Sequence, residues 1–250
     1  MIRYAIAPRR EAFSPFVKDI QTYFEAPGTV ITQKRNIIKI LSFMKQKVVV
    51  KSFKIPNPIN RFAYRFIRAS KAKRSFVNAT RLRELGISTP EPIAYVEFFT
   101  PLLERSYYIS DYFDFDFEIR AVLKDPHFPD REAILREFAH FSWQLHQKGV
   151  YHIDYSPGNV LIKKEGDRYH FSIVDVNRMK FITYTDDLRF KNLSRFSATQ
   201  QDTDFIAKSY AQIAGIDTAY AVKTLRHYHQ KHQQYLQNKK RLKKYHRTNS

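Results

Sequence analysis

The chain has no cysteine among its 250 residues. That excludes a disulfide framework and a thiolate metal site, and it fits a reducing compartment. Glycine is nearly as scarce: there are six, and Gly28 is the only one before Lys51. No Gly-x-Gly-x-x-Gly pattern exists in the chain, so a bound phosphate would have to be covered by another backbone geometry or by basic side chains such as Lys34 and Arg35. No stretch approaches the roughly 18 apolar residues of a spanning helix, and Met1-Ile2-Arg3-Tyr4 lacks the apolar run of a signal peptide. The expectation is a soluble cytoplasmic protein. Acids are missing from the C-terminal stretch: Lys223 to Ser250 holds nine Lys or Arg and no Asp or Glu.

What the chain has in excess is positive charge. Lys and Arg number 43 against 24 Asp and Glu, a net charge of +19. Such a surface attracts polyanions: nucleic acid, anionic lipid or a phosphorylated glycolipid. Apolar residues make up 43% and aromatics 15%, enough for the chain to fold rather than stay disordered. The length allows one large domain or two small lobes.

The most informative motif is His152-Ile153-Asp154-Tyr155-Ser156-Pro157-Gly158-Asn159, with Asp175 ending the run Phe171-Ser172-Ile173-Val174. This is the spacing of a kinase catalytic loop. Phosphoryl transfer needs a carboxylate to orient the attacking hydroxyl, an amide and a second carboxylate for magnesium, and a lysine on the nucleotide phosphates. Asp154, Asn159, Asp175 and Lys51 can fill those roles, in the chain order a kinase fold uses, with His152 as a structural support for the loop. The context agrees. Arg131 to Lys148 reads as an amphipathic helix stopped by Gly149; Val160-Leu161-Ile162 reads as a strand, and Lys164-Glu165-Gly166-Asp167 as a turn into the strand that delivers Asp175.

Upstream, Thr29-Val30-Ile31-Thr32, Asn36 to Leu41 and Val48 to Phe53 read as strands, and Pro56 and Pro58 break the third. Lys71 to Leu85 reads as a helix closed by Gly86, and Glu91 to Phe99 and Tyr107 to Phe113 as a strand pair. A short helix is expected around Phe16 to Phe24. Together these predict a five-stranded sheet with one helix. Strand alternation puts Lys51 and Lys54 on opposite faces, so only one can face the nucleotide, and Lys51, which follows three valines and is better buried by its neighbours, is preferred as the phosphate lysine. Asp111 to Asp116 is the expected hinge, where an adenine ring would meet backbone groups, and Asp116 is expected to cap the next helix. Leu225, Tyr228, Tyr235, Leu236, Leu242 and Tyr245 recur at helical intervals in the tail, so its four histidines belong to a solvated basic helix rather than a metal site.

The chain resembles the lipopolysaccharide core kinase family, the Kdo and heptose kinases of Gram-negative bacteria. The resemblance rests on Val49-Val50-Lys51-Ser52-Phe53, Ser70 to Phe76, Gly86-Ile87-Ser88-Thr89-Pro90-Glu91-Pro92-Ile93, the loop His152 to Asn159, and Val174-Asp175-Val176-Asn177-Arg178. It implies an α+β, two-lobed protein-kinase-like fold: a small β-rich lobe over 1–112, a larger mainly helical lobe over 113–222 carrying the loop, and a basic C-terminal helix over 223–250. It implies ATP and Mg2+ as cofactors and transfer of a phosphoryl group to a sugar hydroxyl, expected to be that of Kdo, on lipid A or the inner core. The expected partners are a glycolipid of the lipid A or Kdo-lipid A type and the anionic inner-membrane surface, reached through the basic tail. The expected place is the cytoplasmic side of that membrane, with nucleic acid disfavoured.

Several departures from the broader kinase pattern stand beside the resemblance. Val176-Asn177 replaces the Phe-Gly pair that would follow a metal aspartate in a switching kinase, and Ser156 stands where protein kinases of the Ser/Thr class carry lysine. The helix from Ser70 to Arg83 has no acid to orient Lys51, so Glu84, Asn78 or another segment must do so. Three other readings stay open: a small-molecule or protein kinase of the same fold, since Pro157-Gly158-Asn159 also resembles aminoglycoside phosphotransferases; a pseudokinase; and a basic nucleic-acid-binding protein on a degenerate kinase scaffold.

Overall fold

The computed structural model describes residues 1–33, 36–196 and 199–248, with side chains through Leu242. Lys34 and Arg35, the basic pair considered for phosphate cover, lie outside the described residues. By internal contacts the chain divides into two compact units, Met1–Asp114 with Ser172–Arg178, and Phe115–Phe171 with Met179–Ser250.

The first unit opens with strand β1 (Ile2–Ile6) and the short helices α1 (Ser14–Lys18) and α2 (Ile20–Glu25). Strands β2 (Thr29–Thr32), β3 (Ile37–Phe43) and β4 (Gln46–Ser52) follow, then helices α3 (Pro58–Phe66) and α4 (Lys71–Glu84), then β5 (Pro92–Phe99) and β6 (Leu103–Asp111). Six strands, not five, form one antiparallel sheet in the order β1-β5-β6-β4-β3-β2. The additional strand is β1. It lies at the sheet edge with three of its five residues exposed, so it lacks the buried alternation that marks a strand in sequence. Helix α3 is the second correction. Pro58 ends no structure; it occupies the first helical turn, where its missing N–H is no loss, and Asn57 caps the helix by accepting from Asn60 N–H at 3.0 Å.

Strand β4 shows how this unit is built. Its β-branched residues favour the pleated conformation, and alternation sends Val48 and Val50 into a core with Phe16, Val17 and Ile20 of α1 and α2. On the other side, Phe53 packs with Ala72 of α4 and Tyr95 of β5. Helix α4 is capped by Ser70, whose side chain accepts from Lys73 N–H, a contact that contributes about 1 kcal/mol. Its buried stripe, Ala72, Ser75, Ala79 and Leu82, is mostly small and lets the helix approach the sheet closely. Gly86, at φ +67, ends it: Ile87 N–H donates to Leu82 O and Gly86 N–H to Arg83 O, which satisfies two terminal carbonyls.

The second unit contains β7 (Phe117–Glu118), α5 (Ile119–Lys124), α6 (Arg131–Gln147), β8 (Val150–His152), β9 (Val160–Glu165), the start of β10 (Arg168–Ile173), β11 (Met179–Phe181), α7 (Asp186–Leu193), α8 (Gln200–Ala214) and α9 (Thr218–Thr248). Strands β10, β9 and β7 make one small sheet, and β11 and β8 another. Helix α6 buries Ile134, Leu135, Phe138, Phe141 and Leu145, the face expected from its spacing. Phe138 packs against Tyr155 and Phe196, with ring centroids 6.1 and 4.6 Å away. Helix α8 begins with a reciprocal cap between Thr199 and Asp202, and the Asp202 carboxylate also binds the Arg131 guanidinium at the start of α6. Asp116 does not cap a helix. Strand β7 intervenes before α5, and the Asp116 carboxylate accepts instead from Lys164 N–H at 2.7 Å. Helix α9 packs through Ala221 and Leu225, but from Gln233 to Leu242 every residue is exposed.

Gly149 links α6 to β8 at φ +69, and a Cβ there would sit 2.6 Å from Ile182 O. Left-handed backbone costs an L-residue roughly 1–2 kcal/mol before any clash. Gly149→Ala should therefore lower stability by about 2 kcal/mol or more in denaturant unfolding. A change below about 0.5 kcal/mol would show that this connection does not constrain the segment that follows.

Candidate active site

The five candidate residues fall on both units: Lys51 and Asp175 on the first, His152, Asp154 and Asn159 on the second. In the first unit, Lys51 leaves β4 on the α4 side, and its side chain is only 10% exposed. A buried ammonium needs a partner or its desolvation is uncompensated. The partner is Asp175, with Lys51 Nζ 2.5 Å from Asp175 Oδ1, and the Lys51 ammonium also lies 5.3 Å from the centre of the Phe53 ring. Lys54, the competing lysine, is exposed and outside the strand.

Asp175 sits at φ +58, a left-handed conformation that Asp adopts more readily than most residues. Its segment is held from both sides. Ile173 N–H donates to Ser88 O, and the buried Thr89 hydroxyl donates to Ile173 O at 2.8 Å. After the aspartate, Asn78 of α4 donates its side-chain amide to Val176 O at 2.7 Å. Asn177 donates to the same Asp175 oxygen as Lys51, at 2.6 Å. Of the two candidate partners on α4, then, Asn78 orients the backbone beyond Asp175, while Lys51 is oriented by Asp175 itself.

In the second unit, the loop folds on its own hydrogen bonds. Asp154 N–H donates to His152 Nδ1 at 3.1 Å, Tyr155 N–H to His152 O, and Asn159 Nδ2 to Asp154 O at 2.9 Å. His152 and Tyr155 are buried, and Asp154 and Asn159 are partly exposed. Arg195 brings a positive charge to 4.0 Å from Asp154 Oδ1. Gly158 leaves room for the Arg120 guanidinium, which lies where a Cβ would be. Arg195 and Arg120 carry no signal in the sequence, because neither belongs to a local motif. Asn177 does, since it stands two residues beyond Asp175.

Below the loop, a buried chain of polar groups fixes its first residue. The His146 ring contacts Tyr210 OH through Nδ1 at 2.7 Å and Asn192 Oδ1 through Nε2 at 3.2 Å. Asn192 Nδ2 donates to His152 O at 2.9 Å. With the amide oxygen as acceptor, the network assigns the ring proton to Nε2 and makes Nδ1 the acceptor of the tyrosine hydroxyl. Burial pushes the His146 pKa down to about 3, so the ring stays neutral.

The donors suit a hard cation. Asp175 offers a carboxylate, and Asn159, with its Nδ2 spent on Asp154 O, offers an amide oxygen. Among the described residues no group of three or more His, Asp or Glu is arranged to hold a metal. One or two protein oxygens together with substrate phosphates is the ordinary arrangement for magnesium, and each of these two donors, taken by itself, is of the kind magnesium accepts.

The sequence model of the lipopolysaccharide kinase (Kdo/WaaP) family matches residues 57–220, from α3 into the first turn of α9. The chain belongs to this family. Membership carries the activity class: it is a kinase, a transferase that draws its phosphoryl group from ATP, in lipopolysaccharide biosynthesis. Among solved structures it is similar to WaaP in complex with acyl carrier protein, at 17% identity and a TM-score of 0.62, over 92% of this chain and 98% of that one. It is also similar to the Rio2 kinase–ADP/Mg2+–phosphoaspartate complex from Chaetomium thermophilum, at 17% identity and a TM-score of 0.51, over 86% of this chain and 64% of that one. These likenesses establish the protein-kinase-like fold expected from the sequence. No curated protein matches the chain in sequence.

For this family member the buried histidine sets a pH limit on stability. A histidine with a folded pKa depressed below its ordinary 6.5 contributes stability above that value and loses it as pH falls toward about 3. Between about pH 7.5 and about pH 5.5 the loss from this one group is about 1.4 kcal/mol. Urea unfolding should show the wild type losing that much more stability than His146→Gln over the same interval. Parallel losses in the two proteins would mean that the ring is not held neutral.

Proposed function

We propose that this kinase transfers the γ-phosphate of ATP to a sugar hydroxyl of the lipopolysaccharide inner core, that of a Kdo residue. The observation that carries the reading is the Lys51–Asp175 pair, a buried ammonium and a carboxylate joined at 2.5 Å in a member of the lipopolysaccharide kinase family. Lys51 binds the nucleotide phosphates, moving its ion pair from Asp175 to phosphate oxygens when nucleotide enters. Asp175 and Asn159 are the residues that would hold Mg2+, and the metal would supply neutralisation of charge on the phosphates. Asp154 accepts the proton of the acceptor hydroxyl as its oxygen forms a bond to Pγ and the bond from Pγ to the β-phosphate oxygen breaks, releasing ADP. His152 supports the loop by accepting from Asp154 N–H and takes no proton from substrate.

The proposed setting is the cytoplasmic face of the inner membrane of a Gram-negative bacterium. The exposed end of α9, with Lys239, Lys240 and Arg241, supports this, since basic residues near an anionic leaflet are attracted by on the order of 1 kcal/mol each.

The direct test is incubation with labelled ATP and Kdo-lipid A, followed by mass-spectrometric mapping of the phosphate. Phosphorylation of the Kdo is expected; phosphate found only on another acceptor would overturn the substrate assignment. Asp154→Asn should lower turnover by roughly 10²–10⁴-fold while leaving nucleotide affinity nearly unchanged, as for removal of a positioned base. Turnover within a few-fold of wild type would sink that role. Asp175→Asn keeps an acceptor for Lys51 but removes the charge. It should weaken binding of a non-hydrolysable ATP analogue in the presence of magnesium, measured by calorimetry, and unchanged magnesium-dependent affinity would remove Asp175 from the metal site.

A further inference from the structure

Helix α3 turns its largest apolar side chains outward. Ile59 is 80% exposed, Phe62 51% and Phe66 65%, and these residues, three and four apart, lie on one face. Ile55 before the helix and Ile67 after it are 49% and 74% exposed. The centroids of the Phe62 and Phe66 rings are 4.9 Å apart. Met1, also exposed, joins this patch, its Sδ 3.6 Å from Arg65 Nη1. Isolated exposed apolar residues are ordinary; a contiguous set on one short helix marks a surface that something covers.

The opposite face of the helix is fixed. Tyr64 packs with Phe99 and Leu103 of the sheet. Arg61 donates to Leu103 O at 2.8 Å and pairs with Glu104 at 3.5 Å. The Asn57 cap closes the N-terminus. The exposed side chains are therefore presented by a helix anchored to the sheet.

Charge identifies what covers them. From Ala26 to Arg83 the chain has fifteen Lys or Arg and no Asp or Glu. With the nine of the tail this exceeds the whole net charge of +19, so the rest of the chain is net acidic. Lys54 and Arg68 are exposed at either end of the apolar stripe, and Arg65 lies beside it. A second copy of this chain would bring the same positive charge against it. An exposed apolar stripe between arginines and a lysine instead matches a plane of anionic headgroups over hydrocarbon. No described helix is long and apolar enough to cross a membrane, so this one would lie in the interface.

We propose that α3, with Ile55, Ile67 and Met1, is a membrane-insertion face that seats the first unit on an anionic bilayer by burying Ile59, Phe62 and Phe66 among the acyl chains. This goes beyond the kinase reading and does not rest on it, since the binding needs no nucleotide and no turnover. It also differs in kind from attraction by the α9 tail. Insertion persists in salt, whereas attraction between exposed charges is screened within about 10 Å at 0.1 M.

The test is sedimentation of the full chain with vesicles of phosphatidylethanolamine and phosphatidylglycerol, and with vesicles of phosphatidylcholine alone. Phe62→Ser/Phe66→Ser should bind the anionic vesicles at least about tenfold more weakly than wild type, and the gap should widen in high salt. Its unfolding temperature and its turnover of a deacylated, water-soluble acceptor should match wild type. A second variant, Phe66→Trp in a Trp143→Phe background, carries a single indole, whose fluorescence should be quenched by vesicles with brominated acyl chains. Vesicle binding by the double serine variant equal to wild type, or an indole at position 66 that stays unquenched, would overturn the proposal. So would unchanged vesicle binding with loss instead of self-association or of an acidic protein partner. Failure of the kinase reading would look different: no acceptor phosphorylated, with vesicle binding intact.

Discussion

The ion pair between Lys51 and Asp175 is the constraint on which the first unit is organised. It joins positions 124 residues apart at 2.5 Å, with the ammonium largely out of water. An unpaired charge in that place would be strongly unfavourable, and breaking such a pair by removing one partner typically costs about 3–5 kcal/mol in fully buried cases, less where one member is partly exposed as here. Around it, the valines of β4 position the lysine, the small residues of α4 allow Asn78 to reach Val176 O, and Ser88 and Thr89 hold Ile173. The short segment Ser172–Arg178 thus belongs to the first unit although it is the direct continuation of a strand that starts in the second.

The second unit solves a different problem. Its loop leaves Asp154 and Asn159 partly exposed while their backbone is held by hydrogen bonds. The tyrosine–histidine–asparagine chain ends on His152 O, with Arg189 donating to the tyrosine hydroxyl at its far end, and the hydroxyls of Ser142 and Tyr155 meet at 2.9 Å beneath it.

Much of this was legible in the residues. The position of Asp175 at a strand end, the burial of Lys51 against the exposure of Lys54, and the helix read over Lys71 to Leu85 and found over Lys71–Glu84 all follow from spacing, alternation and caps, which act over a few residues. What the sequence hid acts over long range or at an edge. Strand β1 shows no buried face, and Pro58 looks like a breaker when it is a helix start. Asp116 faces a backbone N–H 48 residues away, and Arg195 approaches Asp154 from outside any motif. Kinases usually keep the acidic partner of the phosphate lysine on the helix that corresponds to α4. Here the acidic partner of Lys51 lies far along the chain, at Asp175.

One carboxylate has a consequence for how the second unit comes apart. Asp202 closes the first turn of α8 through Thr199 and at the same time receives the Arg131 guanidinium, whose Nε donates to Val122 O of α5. It is almost completely buried, so neither helix start can open without stranding a charge. The starts of α6 and α8 are therefore one cooperative element in local opening. Amide protons in those first turns should exchange with solvent together, through the same rare event, rather than fraying one helix at a time.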